Sequence, residues 1–138
     1  MTGVEQISAD LQTMVVRIAS VSELIALIED DKPDLKRRRA LKDYRYSIVR
    51  LLTKIVLAQK LASRLQERGD SPAALSVAKL FPIRIVEIDS CTPEVEIRAQ
   101  VDWVNNLAKE LATAIEVDLR EVFPRQVPRD RAKKLRPI

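Results

Sequence analysis

The sequence predicts an all-α fold: an antiparallel helical bundle of three long helices plus one short helix, with a basic extended C-terminal tail. Three observations carry this. Glycine occurs twice in 138 residues, so tight turns and hairpins are scarce and long helices are the default. Apolar residues recur at alternating spacings of three and four over three long stretches, the period of a single helix face. Proline and glycine fall between those stretches, where they start or stop helices.

The first helix is expected over about residues 3–30. Thr2 and Glu5 form a capping-box pattern, able to satisfy two otherwise orphaned amides. Ile7, Leu11, Met14, Ile18, Val21, Ile25 and Ile28 make its stripe, with a possible irregularity at Ser20-Val21-Ser22. The second helix, about 33–68, opens near Pro33, a residue suited to a first turn. It carries Leu41, Tyr44, Ile48, Leu51, Ile55, Ala58, Ala62 and Leu65 to a left-handed cap at Gly69. At the α-helical rise it is about 50 Å long.

Ser71-Pro72 restarts a short helix over about 72–80, and Phe81-Pro82 stops it. Ile83–Ile88 then alternates imperfectly and reads as extended. With no second strand signal, it is either an irregular connector or a strand paired with a copy of itself. Thr92-Pro93-Glu94 opens the last helix, about 93–123, whose stripe is Ile97, Val101, Val104, Ala108, Leu111, Ile115, Leu119 and Val122. Residues 1–123 thus form one bundle domain. Residues 124–138, with three prolines and little to bury, read as a basic flexible tail. Short connections favour antiparallel neighbours.

The net charge of +4 hides a partition. Residues 1–34 carry −5, 35–69 carry +9, Asp70 carries −1, 71–123 carry −4 and 124–138 carry +5. On a helical wheel, Arg39, Lys42, Tyr46, Arg50, Lys60, Arg64 and Arg68 lie opposite the core stripe of the second helix, nearly one per turn. Arg37 falls on the core side, with Arg38 and Arg45 on a flank. One reading is a solvated face, partly paired with acids of the neighbouring helices and contributing about 0–1 kcal/mol per exposed pair. A second is a track for a phosphate backbone, extended by Arg129, Arg131, Lys133, Lys134 and Arg136 of the tail, with Tyr46 available for a sugar or base. A third is an anionic membrane surface, for which the tail's Val127, Leu135 and Ile138 are too few apolar anchors for insertion. No helix-turn-helix or RNA-binding module signature accompanies the phosphate track, so backbone contact without base readout is expected.

Histidine is absent and Cys91 is the single cysteine. Histidine-based nucleophile pairs, histidine zinc sites and cysteine-rich metal sites are therefore excluded. Cys91 has no histidine partner, and Asp89 and Glu94 oppose a thiolate there. Glu116, Asp118 and Glu121, like Glu94 and Glu96, read as a solvated acidic face rather than a metal site. No enzymatic activity, cofactor or metal is expected. Nor is a membrane span or signal peptide, because charges interrupt the apolar runs and Glu5 and Asp10 stand where an apolar leader would. A cytoplasmic location follows.

Trp103 and Val117 lie off the main stripe of the last helix, Leu57 and Leu61 off that of the second, and Val16 and Leu27 off that of the first. Such residues suit core coverage by residues 75–88, or a homo-oligomer or partner-protein interface. The functional expectation is a non-catalytic binding or assembly protein that engages an anionic partner, nucleic acid foremost. The alternative is a protein–protein adaptor or inhibitor that acts through an oligomeric interface and binds no nucleic acid.

Overall fold

The computed structural model describes residues 3–31 and 35–122. Three long helices organise them: α1 (Gly3–Asp31), α2 (Leu35–Glu67) and α3 (Glu94–Val122). Each buries the stripe that its periodicity marks out. Ile7, Met14, Val21, Ile25 and Ile28 of α1 are buried, and so is every stripe residue of α2. On α3, Ile97, Val101, Val104, Ala108, Leu111 and Ile115 are buried, with Leu119 and Val122 partly so. Burial of each large aliphatic side chain contributes about 1.5–3 kcal/mol. Thr2, Pro33 and the tail 124–138 lie outside the described residues.

α1 is one unbroken helix. The Ser22 hydroxyl donates to the Ile18 carbonyl at 2.9 Å, so the Ser20–Ser22 step is absorbed within the helix. α2 ends as its glycine predicts: Gly69 has φ +84°. Its amide donates to the Gln66 carbonyl at 2.9 Å, and the Asp70 amide donates to the Leu65 carbonyl at 3.1 Å, completing a Schellman cap. α3 begins one residue later than expected. Thr92 Oγ1 accepts from the Asp89 amide and donates to the Asp89 carboxylate instead of capping, and the Pro93 carbonyl accepts the Ile97 amide.

The wholly antiparallel bundle is corrected. α2 is the central helix, packed on α1 along one flank and on α3 along the other. α1 and α2 are antiparallel, because Arg38 meets Glu29 at one end and Gln59 donates to Ser8 at the other. α3 runs parallel to α2: Arg98 pairs with Asp43 near both starts, and Arg68 donates to the Val122 carbonyl near both ends. The reason is the connection. Residues 70–93 do not turn back sharply; they return along the length of the bundle, so α3 starts again from the end where α2 started.

This returning strap is not a helix. The expected helix over 72–80 is two short 3₁₀ turns, Pro72–Ala74 and Ser76–Leu80, separated by extended Leu75. Ile83–Ile88 forms no described strand pair. It is the irregular connector of the two expectations, with Ile83 and Ile88 buried, Ile85 half-buried and Val86 exposed. Leu75, Val77, Ile83 and Ile88 close the core over α2.

A strap without a sheet needs other acceptors for its amides. Two buried aspartates provide them. Asp118 of α3 accepts the Ser76 amide at 2.7 Å and the Val77 amide at 2.9 Å. Asp10 of α1 accepts the Ile83 amide at 2.6 Å and the Gln6 side-chain amide at 3.1 Å. Asp118 is therefore a core anchor rather than part of a solvated acidic face. At the far end Arg37 donates to the carbonyls of Asp89 and Thr92, both at 2.9 Å.

Removing the Asp118 carboxylate leaves two inward-facing amides without acceptors. Asp118→Ala is expected to lower the unfolding free energy by about 2–4 kcal/mol, whereas exposed Asp102→Ala changes it by less than about 0.5 kcal/mol. Urea denaturation checks this, and equal effects of the two substitutions would contradict the anchoring role.

Candidate functional site

Because α1 and α3 take the two flanks of α2 and the strap covers its front, the back of α2 is left to solvent. That back is the basic face. Arg39, Lys42, Tyr46, Arg50, Lys60, Arg64 and Arg68 are all exposed. From Arg39 to Arg68 they span about 44 Å of helix. The two central turns present Thr53 and Leu57 instead, so the cations form two groups along one line.

The cations differ in their engagement. Lys42 lies 3.7 Å from the Glu29 carboxylate, which Arg38 also approaches at 3.1 Å. Arg68 is held by the Val122 carbonyl at 3.0 Å and by Asp70 at 3.9 Å. Arg39, Arg50, Lys60 and Arg64 form no ion pair with any described residue. Glu29 of α1 and Asp70 just beyond α2 therefore engage the ends of the face, while the other cations pair with no described acid.

Sequence reasoning missed Arg45 as a member of this face. It is exposed and unpaired among the described residues, and it walls a hollow of about 580 Å³ between α1 and α2. Ser22 and Ala26 of α1 stand opposite. Their small side chains, one turn apart, are the signal that this flank stays open. Tyr46, 77% exposed, forms the other wall and also borders a hollow of about 290 Å³ toward α3, with Arg50 and Asn105. Toward the end of α2 a hollow of about 610 Å³ has Leu57, Leu61, Ile115 and Leu119 against Lys60 and Arg64.

The expected protein-interface residues separate. Trp103, Val117 and Leu57 are partly exposed, at 43%, 36% and 39%. Leu61 is not a surface residue; it is buried in the core between α2 and its neighbours. A further group of exposed apolar residues lies on α1: Val15, Val16 and Leu27 are 54%, 64% and 59% exposed. By length and composition Val4–Glu29 is apolar enough to cross a membrane, although only 22% of its most apolar window is buried. Its inward stripe is nonetheless committed to α2.

One polar pair lies inside the bundle. The Tyr44 hydroxyl and Arg17 Nε are both buried without a hydrogen-bond partner, while Arg17 Nη1 approaches Glu87 of the strap at 3.7 Å. Burial pushes the Tyr44 phenol up to about 12 from its ordinary 10.0, and the Arg17 charge pulls weakly the other way. A phenol held protonated in this way offers no general base near neutral pH. No group of acidic or cysteine side chains among the described residues is placed to hold a metal.

The raised phenol predicts an alkaline limit. The unfolded chain loses this proton near pH 10 and the folded chain only near 12, so stability is intact below about pH 10 and falls as pH rises toward 12. Tyr44→Phe is expected to remove that part of the slope and, by deleting an unpartnered hydroxyl, to keep or raise stability at neutral pH. Urea midpoints measured against pH test both statements. No protein-family model, curated protein or solved structure matches the chain, so its function is read from these side chains.

Proposed function

We propose that the chain is a non-catalytic helical binding protein whose basic face engages nucleic acid through the phosphate backbone. The observation that supports this most is a set of four cations, Arg39, Arg50, Lys60 and Arg64, unpaired among the described residues along the exposed back of the central helix. Unpaired cations along one line meet the phosphate requirement without any base-reading element. The tail cations Arg129, Arg131, Lys133, Lys134 and Arg136, outside the described residues, would add to the same electrostatic footprint.

Salt dependence is the test. A gel-shift or anisotropy titration should show affinity falling steeply with ionic strength, and Arg50→Ala with Arg64→Ala should reduce the logarithmic salt slope by about two, one per contact removed. Absence of binding at low salt would overturn the reading.

A second reading, assembly through a helical interface, is favoured by the outward face of α1. Val15, Val16, Ala19, Ala26 and Leu27 are exposed there, and the sole basic residue of the helix, Arg17, points inward to Tyr44 and Glu87. This face offers a second centre, beside Trp103, for the proposed homo-oligomer or partner contact. Light scattering of the intact chain should then give more than a monomer mass. Val16→Glu combined with Leu27→Glu should return a monomer with an unchanged melting transition. A monomeric parent chain would remove self-association and leave only a partner protein.

A further inference from the structure

We infer, resting on the nucleic-acid reading above, that the basic face is built for a single strand and stacks an unpaired base on Tyr46. The packing order argues against a duplex. A lone helix is about 10–12 Å wide and fits a major groove about 12 Å wide. α2 is not alone: α1 and α3 flank it along both sides, so the cations lie on the surface of a three-helix layer too broad to enter a groove. A flexible strand has no such restriction, because it follows the surface and turns its bases toward it.

The surface offers a place for a base. Tyr46 is the one aromatic residue on the back of α2 and is largely exposed. Its ring separates the two hollows. On one side Ile25, Ala26 and Val49 provide an apolar lining, with Arg45 and the Lys42–Glu29 pair also lining the hollow. On the other stand Arg50 and Asn105, a cation and an amide suited to a phosphate and to a base edge, with the Asp43 carboxylate there already engaged by Arg98. An exposed tyrosine beside Arg45 and Arg50, neither in an ion pair with a described residue, matches the demands of a strand, a π-face for the base and positive charge for the flanking phosphates. A duplex hides its base faces and would leave the ring without a role.

The intact chain is titrated against labelled oligothymidylate, oligouridylate and a DNA duplex of equal phosphate count, at low and moderate salt. One or both single strands should bind at least about tenfold more tightly than the duplex. Tyr46→Ala should weaken single-strand binding by roughly tenfold, as for loss of one stacked base, with duplex binding unchanged. Tyr46→Phe should retain the parent affinity, since the face of the ring is what contacts the base. Melting curves of both variants should match the parent, because the side chain lies outside the core. Equal binding of strand and duplex, or an unaffected Tyr46→Ala, would overturn the single-strand assignment while leaving backbone binding in place. Failure of all three probes at low salt would overturn both.

Discussion

The architecture depends on how the chain returns from the end of α2 to the start of α3. An extended segment crossing a bundle carries backbone amides that no ladder satisfies, and leaving them unmet inside the protein is costly. Asp118 and Asp10 remove that cost for the three amides of Ser76, Val77 and Ile83. The two carboxylates come from opposite flanks, α3 and α1, so the strap also ties together helices that otherwise meet mainly through α2. With the strap in place its isoleucines close the front of the core, and α2 is left with a single open side. The exposure of the basic face is thus a consequence of a hydrogen-bonding solution on the other side of the same helix.

Much of this was legible in the sequence, for a physical reason. The stripes of α1, α2 and α3 repeat at the helical period over eight turns or so, and burial of aliphatic side chains dominates the energetics of such segments. Gly69 was equally legible, because a left-handed terminus selects glycine. What was not legible depends on pairing between distant residues. Asp118 sits among Glu116 and Glu121 and looks like one more solvated acid until Ser76 and Val77 arrive beside it. The direction of α3 was missed for the same cause. A proline-capped segment at 72–80 suggests a compact turn, whereas the strap is held extended by acceptors that lie more than forty positions away in sequence. The basic face was legible as a periodicity, but Arg45 was not, since its exposure is set by Ser22 and Ala26 on another helix.

The charge partition acquires a different meaning once the helices are placed. A +9 helix between two acidic ones suggests internal neutralisation. The ion pairs that form are peripheral: Glu29 meets Arg38 and Lys42 at one end, and Arg98 meets Asp43 along the α3 flank. Each is exposed and contributes at most about 1 kcal/mol. Cations directed away from both neighbours cannot be reached by acids on the flanks, whatever the total charges are. Neutralisation by composition and neutralisation in space are separate matters, and here only the first is nearly complete.

The two surfaces left open face different directions. The basic face looks out from the back of α2, while the apolar face of α1 looks outward from the edge of the layer, with α1 itself between them. A contact made through the edge therefore does not need to cover the cations, and it would set the basic faces of two molecules side by side. Head-on pairing of α1 with itself is disfavoured by charge, since exposed Glu23 lies among the exposed apolar residues of that face and would meet its own copy. An edge contact must be staggered, or must meet a surface that carries positive charge as well as apolar residues. The α1–α2 hollow, with Lys42 and Arg45 beside Ile25, Ala26 and Val49, has that composition. It is also the hollow beside Tyr46, so the proposed assembly, if seated there, and the proposed base stacking would compete for one place.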